Sequence, residues 1–358
     1  MLLNSIELRH FRCHHAYTQA NFSPYLNLIV GPNAMGKTSI LEAIYMLSQG
    51  KGFREDDEIE LLTVDRDDGF VSASYKINKE LMHEASVTYR RDELYLQKKY
   101  FIDKAPTTIS KFRRVQVPAV LFAPHHLDII THSPSYRREY LDTVISRIDP
   151  IYGKAIREYM VALRKRNALL EEDMDIETRL QQLLFWNEYL IERASIISTA
   201  RKTYIDALNS SNHFAHRWFK IIYHANAMTT ARFAEKQDTE IAARRTLIGP
   251  QKDDIEILIS SQDAAAMDPT SFRNVQHFGS RSQQRLALLW LKIREIEHLE
   301  ATLKCKPLLL LDDILSEFDE SNRKLILELI PRYQTIMTST EEDLLDHALV
   351  PESLLIRV

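Results

Sequence analysis

Two short segments far apart in this 358-residue chain constrain its fold more than any other feature. Residues 31–38 read GPNAMGKT, which has glycine, lysine and threonine at the spacing of a phosphate-binding loop. Residues 308–313 read LLLLDD, an apolar strand that ends in two acids. Because Thr38 and Asp312 lie 274 residues apart, we expect a nucleotide-binding fold split by a large insertion. A compact GTPase-like or kinase-like domain would place the two segments much closer.

The loop has the chemistry that a triphosphate needs. Gly31 and Gly36 let backbone N–H groups face the phosphates, which then lie at a helix N-terminus. Lys37 adds a positive charge, and the Thr38 hydroxyl is a Mg²⁺ ligand in such loops. The chain has only 8 glycines, against about 25 at average usage, so two at the required positions argue against a chance match. The predicted ATP-binding residues are Gly31, Pro32, Asn33, Ala34, Met35, Gly36, Lys37, Thr38 and Ser39.

The two acids after the second segment complete this predicted site. Burying a carboxylate is costly unless it meets a cation or water. Asp312 is therefore predicted to hold Mg²⁺ together with Thr38, and Asp313 to polarise the water that attacks the nucleotide. Taken alone, the acids fit an ordinary turn equally well. The loop at residues 31–38 favours the catalytic interpretation.

Hydrophobic periodicity predicts an α/β protein. Short strand-like runs fill the first third of the chain, including an antiparallel meander over residues 70–97. Residues 135–227 have helical periodicity, and the apolar stripe from Leu180 to Leu208 predicts core packing. We expect an ATPase head with a mixed sheet and an antiparallel β-subdomain, plus a helical second lobe. The predicted domains are the two halves of the head at 1–130 and 241–358, and the inserted lobe at 131–240.

Composition and charge exclude several classes of protein. The net charge is -4, so DNA binding would depend on local pairs of basic residues. Two cysteines cannot form a disulfide framework and fit a reducing compartment. The N-terminal residues lack the apolar core of a signal peptide, and no apolar stretch approaches the ~20 residues that span a bilayer. We therefore expect a cytoplasmic protein without a membrane partner.

A third segment, residues 279–285 (GSRSQQR), precedes a predicted helix. By itself it reads as an ordinary helix N-cap at Ser280 or Ser282. The order of the three segments along the chain is, however, similar to that in ABC-type ATPases. In that class the third segment is the signature, which meets the γ-phosphate bound by a second subunit. That resemblance implies trans contacts from Ser280 and Gln283, a D-loop with Ser316 and Asp319, and a switch residue at Thr338.

From end to end, the chain resembles the RecF family of SMC-like ABC ATPases. The segments that carry the resemblance, in the family's order, are IELRHFR (6–12), GPNAMGKTSILEAIYMLSQGKGFR (31–54), SPSYRREYLD (133–142), KRNALL (165–170), GPQKDD (249–254), SRSQQR (280–285) and LLLLDDILSEFD (308–319). The chain departs from the family at five positions. Glycine is usual at Ala34 and Ser282, histidine and arginine at Gln251 and Lys252, and an acid at His125.

The resemblance implies an ATP-dependent DNA clamp for replication, recombinational repair and the SOS response. Its cofactors would be ATP and Mg²⁺, and its weak, DNA-stimulated ATPase would act as a conformational switch. A homodimer would close on duplex or single-strand-gapped DNA when ATP binds. RecO and RecR would be partners in loading RecA.

Two other functions share parts of this pattern. The nucleotide-binding subunit of a membrane transporter has the same loop and signature, but the helical insertion and the paired arginines Arg137 and Arg138 argue against it. Those two arginines are alternatively structural, tying the lobe to the head. A DNA scaffold with a decayed ATPase is disfavoured because Lys37, Thr38 and both acids are intact.

Overall fold

The computed structural model describes residues 1–54, 57–77, 81–93, 95–260, 271–340 and 353–358. These residues form two compact units. The first unit contains residues 1–125 and 299–358, and the second contains residues 126–298. The second unit extends well past residue 240, the predicted end of the lobe. The division into two functional half-heads and a lobe stays a prediction.

An antiparallel sheet with all its strands between residues 2 and 107 occupies the start of the first unit. Its six strands follow the order β2-β1-β4-β5-β6-β7. Alternate residues are buried along the middle strands, as the predicted meander requires. The strands are β1 (Leu2–Arg9), β2 (Thr18–Asn21), β4 (Asp68–Lys76), β5 (Met82–Asp92), β6 (Tyr95–Ile102) and β7 (Ala105–Thr107).

A five-stranded parallel sheet contains the strand that leads into the phosphate loop and the strand that ends in the two acids. Across the sheet the strands are β15 (Leu354–Arg357), β3 (Leu26–Val30), β14 (Thr335–Ser339), β13 (Leu308–Asp312) and β8 (Ala119–Phe122). Every residue of the four strands from β3 to β8 is buried, which explains the nearly continuous apolar sequences of β3, β13 and β8. The first unit also contains α1 (Lys37–Gln49), α2 (Ile109–Val115) and α10 (Glu320–Leu327).

Helix α1 joins the two sheets of the first unit into one hydrophobic core. It begins after Gly36 and ends at Gly50, which adopts φ 76° and donates its N–H to the Met46 carbonyl. Ten of its 13 residues are buried. Apolar side chains of α1, such as Ile40 and Leu47, belong to one cluster with residues of both sheets.

The second unit combines helices with a smaller sheet. Its helices are α3 (Asp128–Thr131), α4 (Pro134–Ile148), α5 (Pro150–Glu171), α6 (Ile176–Asn209), α7 (Thr230–Ala243), α8 (Val275–Phe278) and most of α9 (Arg281–Leu303). Its antiparallel sheet has the order β12 (Phe272–Asn274), β11 (Asp254–Ser260), β10 (Arg217–His224) and β9 (His213–Phe214). No helix among the described residues is long and apolar enough to cross a bilayer.

The helical prediction for residues 135–227 is wrong at β9 and β10. The β10 sequence, RWFKIIYH, is rich in aromatic and β-branched residues, which favour strands. Phe219 and Ile221 are buried while Lys220 between them is exposed, an alternation typical of strands. Phe219 is paired with Ile259 of β11, so a tertiary partner fixes the strand.

The apolar stripe of α6 is covered along only part of its length. Leu183, Leu190, Ile197 and Leu208 are buried, as predicted. Leu184 was predicted to lie on the same packed face, but it is 63% exposed. The helix therefore presents part of its apolar stripe to solvent near its first turns.

Candidate nucleotide-binding site

The phosphate loop connects β3 to α1 in the predicted strand-to-helix arrangement. Gly36 adopts φ 97°, a conformation that favours glycine. A Cβ atom at this residue would lie 2.7 Å from His14 Nε2 and 2.9 Å from Cys13 Sγ. Burial lowers the pKa of His14, although its contact with the Gly36 carbonyl opposes the shift. Glycine is therefore required here both by the backbone and by its neighbours.

Lys37 places its ammonium group within the loop. Its Nζ donates to the carbonyl oxygens of Gly31 and Pro32 at 2.7 and 2.8 Å. Lys37 is buried, whereas the four loop residues from Pro32 to Met35 are exposed. Gly31 is close to another chain segment, because a Cβ there would lie 2.3 Å from the Val358 carbonyl oxygen.

The two remote segments meet at one carboxylate. Thr38 Oγ1 donates to Asp312 Oδ1 at 2.8 Å across 274 residues of sequence. Thr338 Oγ1 donates to the same oxygen at 2.9 Å, because β14 lies between β3 and β13. A hydroxyl beside a carboxylate is a hard-oxygen donor set that fits Mg²⁺. Thr38 and Asp312 would therefore hold this ion.

Thr338 also contacts the second acid. The backbone N–H of Asp313 donates to Thr338 Oγ1 at 3.0 Å, and Asp313 adopts a left-handed conformation with φ 48°. The buried Thr338 hydroxyl therefore donates to Asp312 and accepts from Asp313. This geometry gives Thr338, predicted as a switch residue, a role in positioning both acids.

Thr338→Val is expected to lower the kcat of ATP hydrolysis by about ten- to a hundredfold. A lost hydrogen bond to a charged group corresponds to about 1.5–3 kcal/mol. Thr338→Ser retains the hydroxyl and is expected to retain most of the activity. ATP turnover and nucleotide binding should be measured in parallel, since a positioning role predicts a larger change in kcat than in Kd. Unchanged kcat in Thr338→Val would contradict this role.

The backbone conformation of Ala34 explains why glycine is usual at this position in the family. It adopts φ 67°, in the left-handed region where glycine is favoured. Ala34→Gly is expected to raise the free energy of unfolding by about 1 kcal/mol. Ala301, exposed on helix α9 in the same unit, provides a control of opposite sign. Ala301→Gly should lower the stability by about 1 kcal/mol, and urea unfolding of the two variants checks both values.

A buried ion cluster lies beneath the loop. The Glu42 carboxylate on α1 is fully buried and accepts two hydrogen bonds from Arg12 at 2.8 Å each. Arg54 Nη2 donates to Glu42 at 2.7 Å and to Ser39 Oγ at 3.3 Å. Burial alone would raise the pKa of Glu42, but the two guanidiniums outweigh it and lower the pKa. Arg12 of the segment IELRHFR and Arg54 of the segment GKGFR thus both contact Glu42. The sequence analysis had not identified Glu42 as a functional residue.

The predicted signature residues form a helix cap within the chain. Ser280 Oγ accepts from the Gln283 N–H at 3.3 Å, and Gln283 Oε1 accepts from the Ser280 N–H at 2.9 Å. This reciprocal pair is a capping box at the start of α9. Ser280 is exposed, and contacts of either residue with a second subunit stay a prediction.

The predicted D-loop follows β13. Asp319 caps helix α10, since its Oδ1 accepts from the Asn322 N–H at 2.9 Å. Ser316 lies in a short 3-10 helix, Ile314–Glu317, and its side chain is outside the described part of the structure.

The paired arginines belong to a network inside the second unit. Arg137 donates to both oxygens of Asp254 at 2.6 and 3.0 Å, and Arg138 donates to the Asp253 carbonyl at 2.9 Å. Arg201 Nη1 donates to Asp253 Oδ2 at 2.8 Å. The paired-arginine segment therefore meets the GPQKDD segment in internal ion pairs, which supports a structural role for both arginines.

Comparisons with known proteins identify the same family as the sequence segments do. A family model described as an AAA ATPase domain matches residues 1–248. The DNA replication and repair protein RecF of Lachnospira eligens is 32% identical, over 95% of this chain and 93% of its own length. RecF of Lachnoclostridium phytofermentans is 30% identical over the same shares of the two chains.

Solved structures of RecF and of an SMC head have a similar fold. The recombination mediator protein RecF-ATP of the RecFOR pathway aligns with a TM-score of 0.83 and 28% identity, over 96% of this chain and 92% of that one. The SMC head bound to the C-terminal winged-helix domain of ScpA aligns with a TM-score of 0.54 and 15% identity, over 96% and 91%. The second likeness concerns the fold alone.

Proposed function

Because the chain belongs to the RecF family, we propose that it is an ATP-binding DNA replication and repair protein that closes as a dimer on DNA. The hydrogen bond from Thr38 to Asp312 carries this proposal. It joins the phosphate loop to the acidic strand end, so that the groups needed for phosphoryl chemistry lie together. Full-length similarity to RecF proteins supports the biological role.

Each residue of the site has a role in this proposal. The backbone N–H groups of residues 31–39, except Pro32, which has none, bind the triphosphate, and Lys37 contacts the β- and γ-phosphates. A Mg²⁺ ion held by Thr38 and Asp312 would neutralise phosphate charge. Asp313 orients the attacking water toward the γ-phosphorus, and ADP and phosphate then leave. Hydrolysis is slow, so that ATP acts mainly as a switch between open and closed states.

The proposed dimer uses the start of α9 on each subunit. The Ser280 hydroxyl and the helix N-terminus would face the γ-phosphate bound by the other copy. The closed dimer would hold duplex or gapped DNA, and RecO and RecR would act with it to load RecA. Similarity to a RecF-ATP structure of the RecFOR pathway supports this assignment. A transporter subunit is disfavoured because full-length relatives are RecF proteins.

Sedimentation velocity with and without Mg-ATP tests the dimer. The wild type is expected to sediment as a dimer only with ATP. Lys37→Met should remain monomeric, since it lacks the cation that holds the phosphates. Asp313→Asn should bind ATP, hydrolyse it slowly and accumulate as a dimer. A monomeric wild type with saturating ATP would contradict the clamp mechanism.

A matched pair of variants isolates the trans contact. Asn and Asp are similar in size and both cap helices well, so Ser280→Asn and Ser280→Asp should preserve the start of α9. Only Ser280→Asp places a negative charge where the second γ-phosphate would lie. We expect dimerisation to fail in Ser280→Asp and to persist in Ser280→Asn, with equal thermal stability. Equal dimerisation of the two variants would exclude a trans role for this position.

DNA binding is tested by fluorescence anisotropy on a labelled gapped duplex. Affinity should increase when the protein dimerises with ATP, and it should fall steeply with salt because phosphate contacts release counterions. Asp313→Asn should bind more persistently than the wild type. DNA affinity that is independent of nucleotide would separate DNA binding from the ATP site and contradict the proposed switch.

A further inference from the structure

An apolar groove lies where the α6 stripe is uncovered. It has a volume of about 430 Å³ and is formed by the end of α5, the start of α6 and α7. Its principal apolar residues are Leu170, Ile176, Leu180, Leu184, Phe233 and Ile241. Ile176 and Leu184 are both more than half exposed. The groove therefore offers apolar surface in the i, i+4 pattern of a helix that normally packs on another helix.

Among the described residues, the one cation in the groove wall, Arg166, is paired with two other wall residues, Asn187 and Glu240. Arg166 Nη2 donates to Glu240 Oε2 at 2.7 Å, and Arg166 Nε donates to Asn187 Oδ1 at 2.8 Å. The Arg166 guanidinium also lies 4.5 Å from the centre of the Phe233 ring. This charge is compensated locally, so the wall presents mainly apolar surface to a ligand.

One end of the groove has an acidic edge. Residues 171–177 read EEDMDIE, in which all five acidic side chains are exposed. The neighbouring Arg179 donates Nη2 to the main-chain carbonyls of Glu172 and Met174. Five carboxylates within seven residues favour a positively charged ligand. They disfavour nucleic acid, since they would repel its phosphates.

A different face of α6 carries an aromatic cluster, whose residues do not line the groove. Phe185 is 62% exposed, and its ring centre lies 5.1 Å from that of Trp186 and 6.3 Å from that of Tyr189. Lys165 lies over the Trp186 ring.

From these features we propose that the groove binds an amphipathic helix of a partner protein, with basic residues flanking its apolar face. Leucine-like side chains of that helix pack on Leu180, Leu184 and Phe233, and its lysines or arginines lie toward residues 171–177. The groove residues all belong to the second unit, whereas the ATP-binding residues 31–39 belong to the first. Binding of the helix should therefore not require nucleotide.

A labelled synthetic helix tests the proposal with the full-length chain. The probe is an 18-residue peptide with leucines on one face and lysines on both flanks of that face. We expect saturable binding by fluorescence anisotropy at low salt, weakening as salt rises. The same peptide with glutamates in place of the lysines should bind at least about tenfold more weakly. A scrambled peptide of identical composition should show no saturable binding.

A matched pair of variants locates the site. Leu184→Glu is expected to weaken binding of the lysine peptide at least about tenfold. Ile151→Glu introduces the same charge at a residue that is 68% exposed on α5 and does not line the groove. It should bind like the wild type. Both substituted side chains are exposed, so thermal unfolding should confirm that both variants fold.

Several outcomes would overturn the proposal. Equal binding by the wild type and Leu184→Glu would place the peptide elsewhere, and equal binding of the scrambled peptide would make the interaction nonspecific. Nucleotide-free dimers that Leu184→Glu abolishes would identify a second copy of this chain as the occupant. Gapped DNA that competes with the peptide, with affinity lost in Leu184→Glu, would identify nucleic acid as the ligand.

Discussion

Arg201→Met is expected to lower the free energy of unfolding of the second unit by about 3–5 kcal/mol, because it breaks a buried ion pair from one side. Arg201 is 1% exposed. It donates to Asp253 Oδ2 at 2.8 Å and to Asp142 Oδ1 at 2.7 Å. Removing the guanidinium leaves the fully buried Asp253 carboxylate without its cation. Hydrogen bonds to Asp253 from Tyr223 and the Asn226 N–H remain, but they are not charged.

Tryptophan fluorescence can follow the second unit selectively. The chain has three tryptophans, Trp186, Trp218 and Trp290, and all lie in this unit. Urea unfolding monitored at these residues should show the full loss in Arg201→Met. Lys202→Met is the neighbouring control, since Lys202 forms an exposed pair with Asp206. That change should cost less than about 1 kcal/mol. A similar effect of the two substitutions would show that the buried network contributes little.

Glu42→Gln is expected to destabilise the first unit by about 3 kcal/mol near neutral pH. Glu42 is fully buried between Arg12 and Arg54, and an amide cannot balance their charges. Glu60→Gln is a matched control, because Glu60 is a second, exposed carboxylate 3.5 Å from Arg12. It should change the stability by less than about 1 kcal/mol. Urea unfolding followed by far-ultraviolet circular dichroism measures both variants.

The difference between the wild type and Glu42→Gln should depend on pH. The folded-state pKa of Glu42 is lowered: burial opposes ionisation, but the two arginines favour it more strongly. The carboxylate therefore contributes its full stability above its ordinary pKa of 4.5. It loses that contribution as the pH falls through the lowered folded-state value. The two unfolding curves should converge in acid, and a difference that grows below pH 4.5 would contradict the ion-pair assignment.

The nucleotide site was largely predictable because its chemistry is local. The strand before the loop, the glycines and Lys37 are contiguous in sequence, and β13 is an uninterrupted apolar run that ends in acids. The pairing of Thr38 with Asp312 followed from what a phosphate loop requires. The contact between Thr338 and both acids was harder to predict, because it depends on β14 lying between β3 and β13.

The buried ion networks could not be derived from sequence patterns. Arg137 and Asp254 are 117 residues apart, and Arg12 and Glu42 are 30 residues apart. Charged residues are usually exposed, and no local periodicity distinguishes a buried arginine from a solvated one. The β10 strand was missed although its own residues favour a strand, because the helical pattern of the preceding residues was extended over it.

The positions of the strands along the chain have a consequence for folding during synthesis on the ribosome. The antiparallel sheet uses residues 2–107 alone, so its pairing partners emerge together and it can form early. β3 emerges among them, but its neighbour β14 follows about 300 residues later, at Thr335–Ser339. The apolar β3 run thus remains without its parallel neighbours through most of translation and is exposed to aggregation. A nascent chain should acquire its nucleotide site only after residue 339 has left the exit tunnel.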